Sequence, residues 1–337
     1  MKIAILTHPL GANYGGILQA FALCKYLQSM GHEVFVLNRN ADIPFAKRMI
    51  KTIMMSLHHP RYNNPRYKHL VRFVKQHLPF TKPLYSMAQM TDFVRKNNIQ
   101  VTIVGSDQVW RAGFAMNYGY DYFLDFPPKD VTKLSYAASF GLSEWEYTEE
   151  QSQIIRHLVN GFKAVSVRED EGVTLCRKYM GVKAEHVLDP TMLLSPDDYS
   201  LITSPRIVLE NYVFVYWLGP VEEKRKAITH AYIKDKKLVD ISLRSAEPLI
   251  PVEDWLSYIK YADQVVTDSY HGCIFSILFG KQFNICSNAS GGYGRLRSLF
   301  TMLGINPSDG NINYKSVYER LEIHRRKSYL FIEKALK

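Results

Sequence analysis

The sequence predicts an α/β protein built as two Rossmann-like domains, with mainly parallel sheets, facing each other across a cleft. Three observations point there. Short β-branched runs alternate with segments of helical length almost throughout the chain, which is the pattern of βαβ units. The 337 residues are many for a single hydrophobic core and suit two. A second β/α series begins after residues 195–211, "SPDDYSLITSPRIVLEN", whose two prolines and weak periodicity mark an interdomain linker. The expected domains are therefore residues 1–195 and 196–337.

In the first domain, "KIAILT" reads as a buried strand. It leads through a Gly-rich turn, "HPLGANYGG", into the helix "ILQAFALCKYLQSM". Gly31 ends that helix, and "EVFVLN" is the next strand. Further on, "MTDFVRKNN" reads as a helix and "VTIVGS" as a buried strand. "KLSYAASF", "AVSVRE" and "AEHVLD" are strands, with "EEQSQIIRHLVNGF" and "EGVTLCRKYM" as the helices between them. In the second domain the strand "YVFVYWLG" is followed by the helix "EEKRKAITHAYIKD" and the strand "KLVDISL". The helix "VEDWLSYIKYA" then leads to the strand "QVVTD", the apolar helix "CIFSILFG" and the strand "QFNICS". A helical tail, "YKSVYERLEIHRRKSYLFIEKAL", closes the chain.

Composition is that of a globular protein, 47% hydrophobic and 22% charged. Cys24, Cys176, Cys273 and Cys286 are scattered without a CxxC pair, which points to free thiols in a reducing compartment. With no HExxH, no DxD and no Cys/His cluster, no metal site is expected. The apolar run in "MKIAILTHPL" is too short for a signal peptide, and no window approaches 18 uninterrupted apolar residues. A cytoplasmic protein without a transmembrane helix is expected.

The formal net charge of +10 is unevenly placed. Between Asp42 and Asp92 there is no acidic residue. That interval holds nine cations: Lys47, Arg48, Lys51, Arg61, Arg66, Lys68, Arg72, Lys75 and Lys82. Apolar residues such as Tyr67 and Phe73 lie among them. This basic insertion, residues 43–91, reads either as an ordinary solvated segment or as a peripheral contact with an anionic membrane. Nucleic acid is not an expected partner, because the rest of the chain lacks a recognition module.

In open α/β sheets ligands bind at the carboxyl ends of the strands. Asn13 and Tyr14 in the first turn fall there, as do Ser106 and Asp107 in "VGSDQVWR". Arg168 in "SVRED", Asp189 in "LDPT" and the turn "TDSYHG" with Ser269, His271 and Gly272 do so too. Each has an ordinary structural reading as well. A Gly-rich turn without GxGxxG is unspecific, an arginine after a strand often makes a salt bridge, and a histidine among apolar residues often fills core. Asp189 before Pro190 suits a cap.

Taken together and in order, "NYGGILQAFAL", "VGSDQVW", "SYAASFG", "SVRED", "VLDPTMLL" and "VVTDSYHGCIFSILFGK" resemble the polysaccharide pyruvyl transferase family. The resemblance runs from about residue 3 to residue 300. It implies a GT-B-like fold and transfer of a carboxyethylidene group from phosphoenolpyruvate to a sugar, giving a pyruvate ketal and phosphate. Phosphoenolpyruvate would be the co-substrate, with no further cofactor. By the resemblance His271 and Asp189 are the catalytic residues. Arg168, Ser269 and Gly272 face the donor, and Asn13, Tyr14, Ser106 and Asp107 face the acceptor. Some members carry arginine where this chain has Ser269, and Arg295 or Arg297 is expected to compensate. Arginine forks suit the phosphate and carboxylate of the donor, and a histidine suits proton transfer. The implied acceptor is a sugar of a capsule, exopolysaccharide or envelope glycan, or its lipid-linked precursor; the charge of the basic insertion adds the expectation of a cytoplasmic protein peripheral to the inner face of the cell membrane. Two rival readings remain open from the residues: a GT-B glycosyltransferase using a nucleotide sugar, and a catalytically silent carbohydrate-binding protein.

Overall fold

The computed structural model describes residues 1–40, 64–219, 226, 231, 236–244, 248–286, 293–306 and 311–337. The first half is built on β1 (Lys2–Leu6), α1 (Tyr14–Ser29), β2 (Glu33–Val36), α2 (Lys68–His77), α3 (Met87–Lys96), β3 (Val101–Val104), α4 (Ala112–Ala115) and β4 (Thr132–Ser135). It continues with α5 (Glu149–Val159), β5 (Ser166–Val167), α6 (Asp170–Leu175), β6 (Glu185–His186) and α7 (Pro196–Ser200). The main sheet has the order β2-β1-β3-β4, every pair parallel. The parallel pair β5-β6 joins it beside β4 through the bridges Leu134↔Ala164 and Ala138↔Val167. β3 is buried along its whole length, as a parallel strand covered on both faces must be.

The second half comprises β7 (Tyr212–Trp217), β8 (Lys237–Ser242), α8 (Val252–Tyr261), β9 (Gln264–Thr267), α9 (Tyr270–Leu278), β10 (Gln282–Ile285), α10 (Tyr293–Leu303) and α11 (Tyr314–Leu336). Its sheet has the order β10-β9-β7-β8, again all parallel. Counted from its own first strand, each sheet is wound 2-1-3-4. The winding reverses beside β1 in one half and beside β7 in the other, and a crevice opens at the carboxyl ends where that happens. The helix expected over residues 222–235 lies outside the described residues, apart from Lys226 and Ala231.

The halves are joined by core packing. The Tyr14 ring stacks on Trp255 at 5.2 Å with an interplanar angle of 6°, and Ile3, Tyr14, Phe214 and Phe275 belong to one buried cluster. The C-terminal helix α11 runs back onto the first half. The Leu188 N–H donates to Ser328 Oγ (3.0 Å), Tyr329 Oη donates to the Leu193 carbonyl (2.6 Å), and Tyr329 stacks on Tyr26.

Of the basic insertion, residues 43–63, with Lys47, Arg48, Lys51 and Arg61, lie outside the described residues. Helix α2 does not present an apolar face to solvent, because Leu70, Val71, Phe73 and Val74 are buried in the core. Its strong amphipathicity comes from that burial. Arg66 donates to the Leu243 carbonyl and Arg72 pairs with Glu253 at 3.0 Å. Lys68, Lys75 and Lys82 are exposed. Among the described residues no helix is long and apolar enough to cross a membrane.

Candidate active site

Arg168 follows the last residue of β5, and its N–H donates to the Ala138 carbonyl (3.3 Å), so the sheet itself fixes it. The side chain is 1% exposed. Nη1 donates to Asp189 Oδ2 (2.8 Å) and to Ser106 Oγ (3.3 Å), Nη2 lies 3.5 Å from Asp107 Oδ1, and Nε lies 3.9 Å from Glu169 Oε2. Ser106 Oγ in turn donates to Asp189 Oδ2 (3.2 Å), across 83 positions of sequence. Asp189 sits beyond β6 and caps the turn Pro190–Met192, its Oδ1 accepting from the N–H (3.0 Å) and hydroxyl (2.7 Å) of Thr191.

His271 enters from the second half. It lies in the first turn of α9 and places Nε2 3.5 Å from Asp189 Oδ2, beyond the distance of a hydrogen bond of good geometry. The turn that presents it is shaped by its neighbours. Ser269 caps α9 by accepting from the Gly272 N–H (3.1 Å), and its own N–H bonds Thr267 Oγ1. A β-carbon on Gly272 would stand 2.6 Å from Thr267 Oγ1, so only glycine fits there. The imidazole packs against the start of α1, where a β-carbon on Gly15 would overlap its ring. The glycines of the first turn thus make room for a side chain of the other half.

Electrostatics follow from this wiring. Burial would raise the Asp189 carboxyl, but His271, Arg168 and Thr191 outweigh it and hold the group far below the usual carboxylate range. Asp107 is also depressed, with Arg168, His8 and His271 overcoming its burial. Its backbone is left-handed, φ +80°, an uncommon conformation for a non-glycine residue that accumulates at functional sites. Against the cost of burial, Asp189, Tyr270, Asp107 and Glu169 raise Arg168 above its ordinary value. Arg295, at the start of α10, is pushed down to about 10 by burial and by Arg168. The Tyr270 ring lies under both guanidiniums, 4.7 Å from that of Arg168 and 5.6 Å from that of Arg295.

The structure therefore brings together Ser106, Asp107, Arg168, Asp189 and His271 at the carboxyl edges of the two sheets, with Arg295 beyond Tyr270. Other residues expected at the site are placed differently. Asn13 caps α1, accepting from the N–H groups of Gly15 (2.9 Å) and Gly16. Tyr14 is fully buried and donates to the Ile250 carbonyl (3.0 Å), so it joins the halves and does not face an open acceptor site. Ser106 and Asp107 point into the ion-pair network. Arg297 pairs with Glu171 at the surface. Ser269 and Gly272 shape the turn. Sequence reasoning passed over Glu169, Tyr270 and His8. Glu169 and Tyr270 adjoin Arg168 and His271 in the same motifs, and His8 follows β1 by two residues.

Buried polar atoms in native proteins are nearly always hydrogen-bonded. Here Arg168 Nε and Nη2, His271 Nε2, Arg295 Nε and Glu169 Oε2 are buried and have no hydrogen-bond partner. A cleft of about 410 Å³ opens between the halves beside Glu169 and Arg295. The arrangement offers guanidinium donors for an anion and a histidine for proton transfer. Among the described residues no three His, Cys, Asp or Glu side chains are grouped to hold a metal ion.

Solved structures share this architecture. A protein of Listeria monocytogenes provisionally named UDP-N-acetylglucosamine 2-epimerase superposes with a TM-score of 0.57 at 9% identity, covering 97% of this chain and 89% of the other. A complex of S. aureus MnaA with UDP gives 0.53 at 12% identity, covering 98% and 90%. These likenesses establish a GT-B-like fold. No curated protein matches the chain significantly. The family model for polysaccharide pyruvyl transferase matches residues 13–290, a span that holds Arg168, Asp189 and His271, and the chain accordingly belongs to the polysaccharide pyruvyl transferase family.

Proposed function

We propose that the protein moves a carboxyethylidene group from phosphoenolpyruvate to a sugar of an envelope glycan or its lipid-linked precursor, releasing phosphate. The observation that carries this reading is the set of buried N–H groups on Arg168 and Arg295 that have no hydrogen-bond partner. A small ligand bearing both a phosphate and a carboxylate suits two guanidiniums that share contact with one tyrosine ring. In the reaction, C3 of the donor is protonated and positive charge develops at C2. A sugar hydroxyl adds, the bond from C2 to the phosphate oxygen breaks, and a second hydroxyl closes the ketal. The protons of the two hydroxyls equal the one gained at C3 and the one carried off on phosphate. His271 serves as the proton-transfer residue, with the Asp189 carboxylate 3.5 Å from its Nε2, and the arginines stabilise the departing phosphate.

The test is phosphate release from phosphoenolpyruvate in the presence of a panel of sugar acceptors, with mass spectrometry of the sugar product. A product heavier by one carboxyethylidene group supports the reading. Release of UDP from UDP-sugars, with no turnover of phosphoenolpyruvate, would replace it with a nucleotide-sugar transferase. The site would lie on the cytoplasmic side of the membrane, with the exposed Lys68, Lys75 and Lys82 facing anionic lipid.

A further inference from the structure

The residues first expected to receive the acceptor are occupied elsewhere, in the cap of α1, the buried Tyr14 contact and the Arg168 network. The interdomain cleft offers a different place. It lies between the loop after β4, the start of α6 and the start of α10, and its volume of about 410 Å³ is within the roughly 300–1,000 Å³ of small-molecule sites. On its floor Glu169 is 2% exposed. Oε1 is held by the Phe140 N–H (2.7 Å), which leaves the buried Oε2 unpartnered. Glu171 is similar: one oxygen meets Arg297, and the other, Oε2, is buried without a hydrogen bond of good geometry, beside the Asp170 carboxyl. Arg295 closes the same wall. Gly141 and Ser143 keep the opposite wall low, and the ring of Tyr293, which lines the cleft, is 57% exposed.

A phosphate would meet two carboxyl groups here. A neutral polyol matches instead, because its hydroxyls can donate to the carboxyl oxygens. We propose that this cleft is the acceptor subsite and takes a hexopyranoside presenting two hydroxyls. Glu169 Oε2 accepts from the attacking hydroxyl and Glu171 Oε2 from its neighbour. This rests on the pyruvyl-transfer reading, with Arg295 standing between donor and acceptor. Glu169 takes the proton of the attacking hydroxyl as the new C–O bond forms at C2, and that proton leaves on the departing phosphate; the proton of the second hydroxyl, released as the ketal closes, replaces the one already given to C3. Burial raises the Glu169 carboxyl, with Arg168 and Arg295 offsetting part of the effect, so it is a better base than an exposed carboxylate.

Saturation-transfer NMR with methyl glycosides of glucose, galactose and mannose tests the subsite without phosphoenolpyruvate. The wild type should transfer saturation to at least one of them. Ser143→Trp, which fills the cleft, should abolish transfer while the thermal shift given by phosphoenolpyruvate persists and reports a folded site. In turnover, Glu169→Gln should lower kcat by roughly 10²–10⁴-fold, and Glu171→Gln should raise the sugar KM about tenfold with the phosphoenolpyruvate KM within twofold. No transfer from the wild type overturns the subsite. So does transfer that survives Ser143→Trp, or a Glu171→Gln effect confined to phosphoenolpyruvate. Sugar binding lost in Ser143→Trp, in a wild type that never consumes phosphoenolpyruvate, would keep the cleft and remove the donor reading.

Discussion

Gly15 gives the sharpest test of how the two halves make one site. It lies in the first turn of α1 and has an ordinary helical backbone, so alanine is intrinsically favoured there by up to about 1 kcal/mol. Yet its added β-carbon would overlap the His271 ring and stand 2.8 Å from His271 Cβ, against roughly 3.5–4.0 Å for a relaxed carbon–carbon contact. Rotating the ring does not cure a clash with Cβ, so α9 or α1 must retreat by about 0.7 Å or more. Overpacking of this kind costs ~1–3 kcal/mol, offset in part by the helix propensity. The larger effect is on turnover, because a misplacement of about 1 Å can cost roughly 10²-fold. Gly16 is the control, since a β-carbon there meets Asp107 Oδ2 at 3.4 Å, an ordinary contact. Phosphate release and thermal melting of Gly15→Ala and Gly16→Ala should show a large loss of kcat with a modest fall in Tm for the first and little change for the second. If Gly15→Ala keeps kcat within threefold, or Gly16→Ala is as damaging, the placement of His271 against α1 is not what turnover depends on.

His271→Ala should lower kcat by roughly 10²–10⁴-fold while the thermal shift from phosphoenolpyruvate persists; retained turnover would leave His271 a packing residue. Arg168→Ala should destabilise by about 3–5 kcal/mol, since it strands the buried Asp189 carboxylate, whereas Arg295→Ala should mainly raise the phosphoenolpyruvate KM, by about 10- to 150-fold for a lost charge-assisted bond; urea melts beside kinetics separate the two. The depressed Asp189 contributes stability above the unfolded carboxylate value of about 3.9 that is lost as pH falls below it. The raised Glu169 does the opposite, contributing stability below about 4.3 that is lost as pH rises through its folded value. Denaturation of Asp189→Asn and Glu169→Gln across pH 3–8 should therefore flatten opposite limbs of the stability profile, and equal slopes in both variants would contradict the assigned electrostatics. Co-sedimentation with anionic vesicles should weaken as salt rises and drop when Lys47, Arg48, Lys51, Lys68, Lys75 and Lys82 become Gln, each being worth about 1 kcal/mol near the surface; binding that ignores salt would remove the electrostatic contact.

The sequence by itself determined the alternation of strand and helix and the parallel character of the sheets, because β-branched strands buried on both faces carry apolar residues at every position. It also determined which polar residues stand at strand ends, and five of them, Ser106, Asp107, Arg168, Asp189 and His271, meet. What it left open is what each polar group touches. A residue that caps a helix and one that binds a ligand at a helix start are the same residue types in the same place, so the capping bonds of Asn13 and Ser269 are not legible in the sequence. Tyr14 looks like part of an open turn, and only the docking of Trp255 from the other half buries it. The apolar residues of α2 look available to lipid until the core claims them. The cleft beside Glu169 is assembled from one loop and two helix starts distant in sequence, and one Glu169 oxygen lacks a hydrogen bond because Phe140 takes the other. Periodicity and capping are local and act within a few residues, whereas burial and pairing at this site are set by the packing of two sheets against each other.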